Sequence, residues 1–167
     1  VLSGNQIKEY IRKGLISINP YNPDRVQPNT YDVGLSTKLY DEQGNLVRDT
    51  KPIIIKPKEF LLGYTPEYFK FSKEVAGILH TRSSIGRMGL FSNNAGLIDA
   101  GWEGQITYEL FNASDNVVVL DPNEPIAQVS FHPVKNADPY NGVYNGQTLA
   151  TPSKLLKYHK GTCSICR

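Results

Sequence analysis

Pairs of turn-forming residues punctuate this chain so often that long helices have no room in it. Asn19-Pro20, Asn22-Pro23, Gln43-Gly44-Asn45, Pro122-Asn123, Asn141-Gly142 and Asn145-Gly146 break it into short pieces, each pair favouring a tight reversal over continued helix. Between the breaks lie runs with β character: Thr30–Leu35, Pro52–Ile55, Phe60–Tyr64, Val75–His80, Gln105–Phe111, Asn116–Leu120 and Ala127–His132. Several alternate polar with apolar residues, which places every second side chain on one face of a strand. Many short strands imply a mainly β sandwich, jelly roll or barrel. One helix signal precedes them. Ser3 with Gln6 forms a capping box, Ile7, Tyr10 and Ile11 share a face, and Gly14 stands where a C′ glycine ends a helix. No repeat or linker appears, so residues 1–167 read as one domain, with a flexible tail from about residue 137 that is rich in Pro, Tyr, Asn and Gly.

Charge excludes some functions. Eighteen basic and 16 acidic residues leave a net charge of +2, without the basic stripe of a nucleic-acid binder. Clustered arginines remain suited to a small polyanion such as a triphosphate. No apolar run approaches the roughly 20 residues that cross a bilayer, and no secretory signal is expected from the opening Val1-Leu2-Ser3. Cys163 and Cys166 are the only cysteines, which rules out a disulfide framework and makes a cytoplasmic setting the expectation.

Two stretches carry chemistry. In Thr81-Arg82-Ser83-Ser84-Ile85-Gly86-Arg87-Met88-Gly89-Leu90, two arginines flank hydroxyls and a glycine, the donor types that hold phosphate oxygens. A solvated Ser/Gly turn is the alternative reading. In Ala95-Gly96-Leu97-Ile98-Asp99-Ala100-Gly101-Trp102-Glu103-Gly104-Gln105-Ile106-Thr107-Tyr108-Glu109-Leu110, Asp99 lies in a Gly-bounded loop and Glu109 in an alternating strand. Alternation puts Glu109 with Thr107 and Gln105, opposite Ile106, Tyr108 and Leu110. Glutamate is disfavoured in mid-strand, so Glu109 either faces solvent or lines a site.

Taken together, these stretches resemble the dCTP deaminase family of the dUTPase superfamily. Leu2-Ser3, Ile16-Ser17-Ile18-Asn19-Pro20, Gln27-Pro28-Asn29-Thr30-Tyr31-Asp32-Val33, Tyr144-Asn145-Gly146-Gln147 and Thr151-Pro152-Ser153 extend the likeness to about residue 153. The resemblance implies a homotrimer of dUTPase-like distorted β-barrel or jelly-roll subunits, with active sites between subunits. It implies hydrolysis of dCTP to dUTP and ammonia, with Mg²⁺ carried by the triphosphate and dTTP as an inhibitor. Glu109 matches the catalytic glutamate. Arg82, Ser83, Ser84 and Arg87 match the loop that holds phosphate and positions water. Asp99 matches the residue on the deoxyribose 3′-OH, Gln128 and Tyr140 match nucleotide contacts, and Gln147 matches a tail glutamine near the pyrimidine. Ala95, Trp102, Thr107 and Tyr108 complete the implied nucleotide contacts.

Deamination needs water delivered to C4 of cytosine and a group to shuttle protons to N3 and the leaving ammonia, work that one carboxylate can do. The zinc deaminases instead use an H-x-E…P-C-x-x-C set, which this sequence lacks, so a zinc-independent reaction is expected. Arg87 and Ser83 are then expected to position the water and stabilise developing charge. A terminal Cys163-Ser164-Ile165-Cys166 lacks the second ligand pair of a structural zinc, and His80, His132 and His159 read as scattered ordinary histidines. Three departures stand out: Val143 occupies a position where lysine is common, Gly34 one where arginine is common, and Ala95-Gly96-Leu97 replaces Ala-His-Arg. The last resembles bifunctional members that cleave dUTP on to dUMP and pyrophosphate, except that Leu97 replaces their usual aromatic. Gly96 is expected to let the Ile98-Asp99 backbone approach the α-phosphate, where Asp99 would orient a second water. The competing readings are a dUTPase alone, whose Gly-rich C-terminal motif is missing, and a catalytically silent trimeric nucleotide-binding regulator.

Overall fold

The computed structural model describes residues 1–93 and 95–155. It opens with helix α1 (Gly4–Arg12), whose Ser3 and Gln6 cap each other as the sequence predicts. Gly14, at φ 72°, turns the chain just past the helix. Strand β1 (Ile16–Asn19) and a 3-10 turn over Pro23–Arg25 lead to β2 (Tyr31–Val33), β3 (Lys38–Tyr40), β4 (Leu46–Asp49) and β5 (Ile53–Ile55). The long β6 (Phe60–Phe71) and β7 (Val75–Thr81) follow, then the one-turn helix α2 (Ser83–Gly86). Short strands β8 (Leu90–Phe91) and β9 (Leu97–Ile98) precede β10 (Glu103–Asn112), β11 (Val118–Leu120) and β12 (Ala127–Pro133).

Two sheets and a small ladder enclose the core. One sheet runs β4-β3-β6-β10-β8, with β1 also paired to β6; the second runs β2-β12-β7-β9, and β11 pairs with β5. Every pairing between named strands is antiparallel. Tyr31, Leu39, Ile55, Phe69, Tyr108 and Phe131 are fully buried between the layers, and each large apolar side chain removed from water contributes about 1.5–3 kcal/mol before ordering costs.

Each of the seven expected strands is present, but β6 continues well beyond Tyr64. Pro66 lacks an N–H, which disfavours it inside a paired strand. The register of β10 against β6 shifts between Gln105 and Thr107, so Pro66 sits in a bulge where the ladder asks nothing of it. Strands β1, β3, β4, β8 and β9 lie outside the expected set, none longer than four residues, too short to show a period. The tail is hydrogen-bonded along β10: Gly146 N–H donates to Glu103 O (2.8 Å) and Gln105 N–H to Gln147 O (2.9 Å), while Ala150 is buried against Leu62 and Tyr64. No helix among the described residues is long and apolar enough to cross a membrane.

Candidate active site

The alternation of β10 builds the site. Tyr108 and Leu110 are fully buried, while Thr107 and Glu109 on the opposite face are partly open. That face floors a groove of about 950 Å³, a size suited to a small molecule. Glu109 stands opposite Leu62 of β6, and Thr107 opposite Tyr64. The Glu109 carboxylate accepts the Ala95 N–H at 3.2 Å, which ties the strand to the loop entering β9. Ala95 and Gly96 of that loop, Leu97 of β9, and Asp99 and Trp102 beyond it also line the groove.

The tail adds further lining. Trp102 donates its indole N–H to Tyr144 O (3.0 Å), and Tyr140 N–H bonds Ala100 O (2.8 Å). Gln147 Nε2 donates to Gln105 O (2.9 Å) and to Thr107 Oγ1 (3.4 Å). Thr151 N–H bonds the same hydroxyl at 3.1 Å. Tyr140, Tyr144, Gln147 and Thr151 thereby stand along the groove. Val143 is exposed, and its carbonyl accepts from the Lys154 ammonium, which also lies 5.2 Å from the centre of the Tyr144 ring.

The expected residues divide into two groups. Glu109, Ala95, Gly96, Leu97, Asp99, Trp102, Thr107, Tyr140 and Gln147 share the groove. Arg82, Ser83, Ser84, Arg87 and Gln128 do not line it. Ser83 and Ser84 lie on α2, with Arg82 and Arg87 as its caps, and both serines and Arg87 are exposed. Arg82 donates to Pro125 O (2.8 Å), and its Nε lies 3.5 Å from Asp32 Oδ2. Burial pushes the Asp32 carboxyl up, against the pull of Arg82 and Arg25. Gln128 accepts the Thr30 hydroxyl at 3.1 Å.

The Tyr108 side chain is fully buried and its hydroxyl donates to Gly34 O at 2.7 Å, so the side chain is turned away from the groove floor. Gly96 is closely packed. A Cβ on it would lie 2.6 Å from Leu79 O and 2.9 Å from Asn93 Nδ2, and its carbonyl accepts the Leu79 N–H at 2.8 Å. Glycine is required to seat the loop against β7, and any side chain at position 96 displaces it. Nor are the described histidines scattered: His80 Nε2 and His132 Nε2 both lie 3.0 Å from Ser130 Oγ. His159, Cys163 and Cys166 lie outside the described residues.

Phe60, Phe91 and Phe111 also line the groove, and sequence reasoning missed all three. Phe111 was within reach, being two residues beyond Glu109 on its face. Phe60 and Phe91 join it only through strand register. The groove carries Glu42, Asp99 and Glu109 but no lysine or arginine among its described lining residues. Among the described residues, no three His, Cys, Asp or Glu side chains gather as metal ligands.

Comparison with known proteins places this geometry. The profile of a dCTP deaminase-like family matches residues 1–134. The "dCTP deaminase, dUMP-forming" of Aquifex aeolicus (strain VF5) is 38% identical over 170 residues, which cover 93% of this chain and 94% of that protein. Among solved structures, the 2′-deoxycytidine 5′-triphosphate deaminase from Agrobacterium tumefaciens superposes with a TM-score of 0.65 at 18% identity, covering 78% of this chain and 47% of that one. The EIAV dUTPase superposes at 0.54 and 17% identity, covering 79% of this chain and 99% of that one. At these identities the superpositions show the fold alone, which is dUTPase-like.

Proposed function

The chain belongs to the dCTP deaminase-like family, and from that premise we propose that it converts dCTP to dUTP and ammonia and then cleaves dUTP to dUMP and pyrophosphate. The observation that carries the reading is Glu109, a strand carboxylate on the floor of a nucleoside-sized groove and tied to the Ala95 N–H. Its proposed role is to take a proton from the water that attacks C4 and deliver protons to N3 and to the departing amine. Zinc has no part in this step, in keeping with a sequence that lacks the zinc-deaminase signature.

Completion of the site is assigned to a second subunit. A triphosphate carries several negative charges, yet the groove offers three carboxylates and no cationic side chain among its described lining residues. Arg82, Ser83, Ser84 and Arg87 of a neighbouring subunit in a homotrimer supply the missing donors on this reading, with Mg²⁺ arriving on the phosphate oxygens as part of the substrate. Asp99, exposed on the groove wall, holds the 3′-OH and orients the water for pyrophosphate release. The dUMP-forming outcome draws on the name of the Aquifex relative.

Glu109→Gln is expected to lower ammonia release by about 10²–10⁴-fold while nucleotide binding and assembly persist; near-normal turnover would remove Glu109 from the mechanism. Starting separate time courses from dCTP and from dUTP with Mg²⁺ tests the second step. Accumulation of dUTP in step with ammonia, with added dUTP left intact, would reduce the protein to a deaminase alone.

A further inference from the structure

Behind the groove floor lies a buried charge that the proposed reaction does not use. In the β6 bulge, Thr65, Pro66 and Glu67 stand opposite Ile106 alone, between the Gln105–Tyr68 and Thr107–Tyr64 pairs. Thr65 and Glu67 are 0% and 2% exposed. Thr65 fills the gap in the ladder: its hydroxyl accepts the Ile106 N–H (2.9 Å) and donates to Glu67 O (2.7 Å). Gln105 reaches across to donate to Thr65 O at 3.0 Å.

The Glu67 carboxylate accepts from Arg25 of the 3-10 turn and from the Gly34 N–H, at 3.4 and 3.3 Å to its two oxygens. The carbonyl of that same Gly34 accepts the Tyr108 hydroxyl at 2.7 Å. A chain of polar contacts therefore runs Arg25–Glu67–Gly34–Tyr108 and ends on the residue between Thr107 and Glu109. Burying a carboxylate costs several kcal/mol, and apolar replacements of such pairs are often as stable. What an apolar pair lacks is a directional hold on Gly34 and, through it, on β10.

We propose that Arg25 and Glu67 are positioning residues: they fix the Thr65–Glu67 bulge and the Tyr108 anchor, and so set where Glu109 and Thr107 stand on the groove floor. The proposal rests on Glu109 acting as the acid/base. Bulges beside active sites commonly re-aim a side chain in this way, and a misplacement near 1 Å costs about 10²-fold in rate.

The test combines Arg25→Met/Glu67→Leu, which removes both charges together, with Glu67→Gln, which keeps an acceptor for Gly34. Tyr108→Phe completes the set by deleting only the hydroxyl. With dCTP as substrate, the double variant is expected to lose about 10–100-fold in kcat with KM changed less than about threefold. Glu67→Gln should retain more kcat than the double variant. Tyr108→Phe should lower kcat several-fold and leave thermal unfolding cooperative. A folded double variant with wild-type kcat overturns the proposal; if that variant does not fold, Tyr108→Phe with wild-type kcat overturns it instead. Amide exchange is the readout independent of turnover: Glu67→Gln should speed exchange at residues 106–109 while β7 and β12 stay protected. Uniform loss across both sheets marks a purely structural pair and overturns the proposal. Should the wild-type protein release no ammonia from dCTP, the functional reading fails, and amide exchange still decides whether Glu67 holds β10.

Discussion

Glu59 at the start of β6 and Glu67 within it each pair with an arginine, yet their surroundings give the two pairs opposite characters. Arg48 donates to Glu59 at 2.9 and 3.1 Å and to Ile54 O at 2.6 Å, with side chains 14% and 20% exposed. Partial burial pushes the Glu59 carboxyl up, but hydrogen bonds from Arg48 and the Lys56 N–H outweigh it and hold the group below the ordinary range. At Glu67, only 3% exposed as a side chain, burial prevails over Arg25 and Gly34 and the carboxyl rises. The same two residue types thus make a net stabilising clamp where water reaches the carboxylate and a costly, directional one where it does not. One closes a surface turn; the other stands behind the groove floor.

Breaking each pair from one side sharpens the contrast. Arg25→Ala leaves the Glu67 carboxylate buried without its cation, and about 3–5 kcal/mol of unfolding free energy should be lost, read as a fall in the urea midpoint with little change in slope. Arg48→Ala removes charge-assisted bonds from a site that water can re-enter, so about 1–3 kcal/mol is expected. Equal losses would mean that burial does not separate the two pairs.

The smallest effect is in pH dependence, and its sign carries the information. The contribution of Glu59 is present above the ordinary glutamate value of 4.5 and is lost as pH falls through its lowered value. That of Glu67 is fully present below 4.5 and is lost as pH rises through its raised value. Across that window the cost of Glu59→Gln should therefore grow with rising pH, and the cost of Glu67→Gln should shrink. Urea titrations of both variants at several pH values check this. Slopes of the same sign would show that the two carboxyls do not differ as described.

How far a reader of the sequence could see depended on the range of the signal. The capping box of α1 is local, three residues apart, and formed as expected. The two faces of β10 follow from period-2 alternation, and they separated Glu109 and Thr107 from Tyr108 before any fold was known. Tyr108, a nucleotide contact implied by family likeness, has its side chain on the buried face of that alternation. The bulge was hidden because Pro66 is disfavoured inside a paired strand unless the partner strand is known. The aromatic part of the groove lining was hidden because Phe60, Phe91 and Phe111 meet only through pairing.

The sequence by itself determined the elements whose cause is local: the first helix, the strand character of each longer β segment, the face on which Glu109 stands and the motifs of its family. Tertiary structure alone decided what depends on distant partners. It packed Gly96 against Leu79 O, divided the expected residues into those that line the groove and those that do not, and joined Arg25 to Glu67 across 42 positions of chain. The reason is physical: capping and alternation act over a few residues of backbone, whereas burial and register are set by strands the chain brings together only on folding.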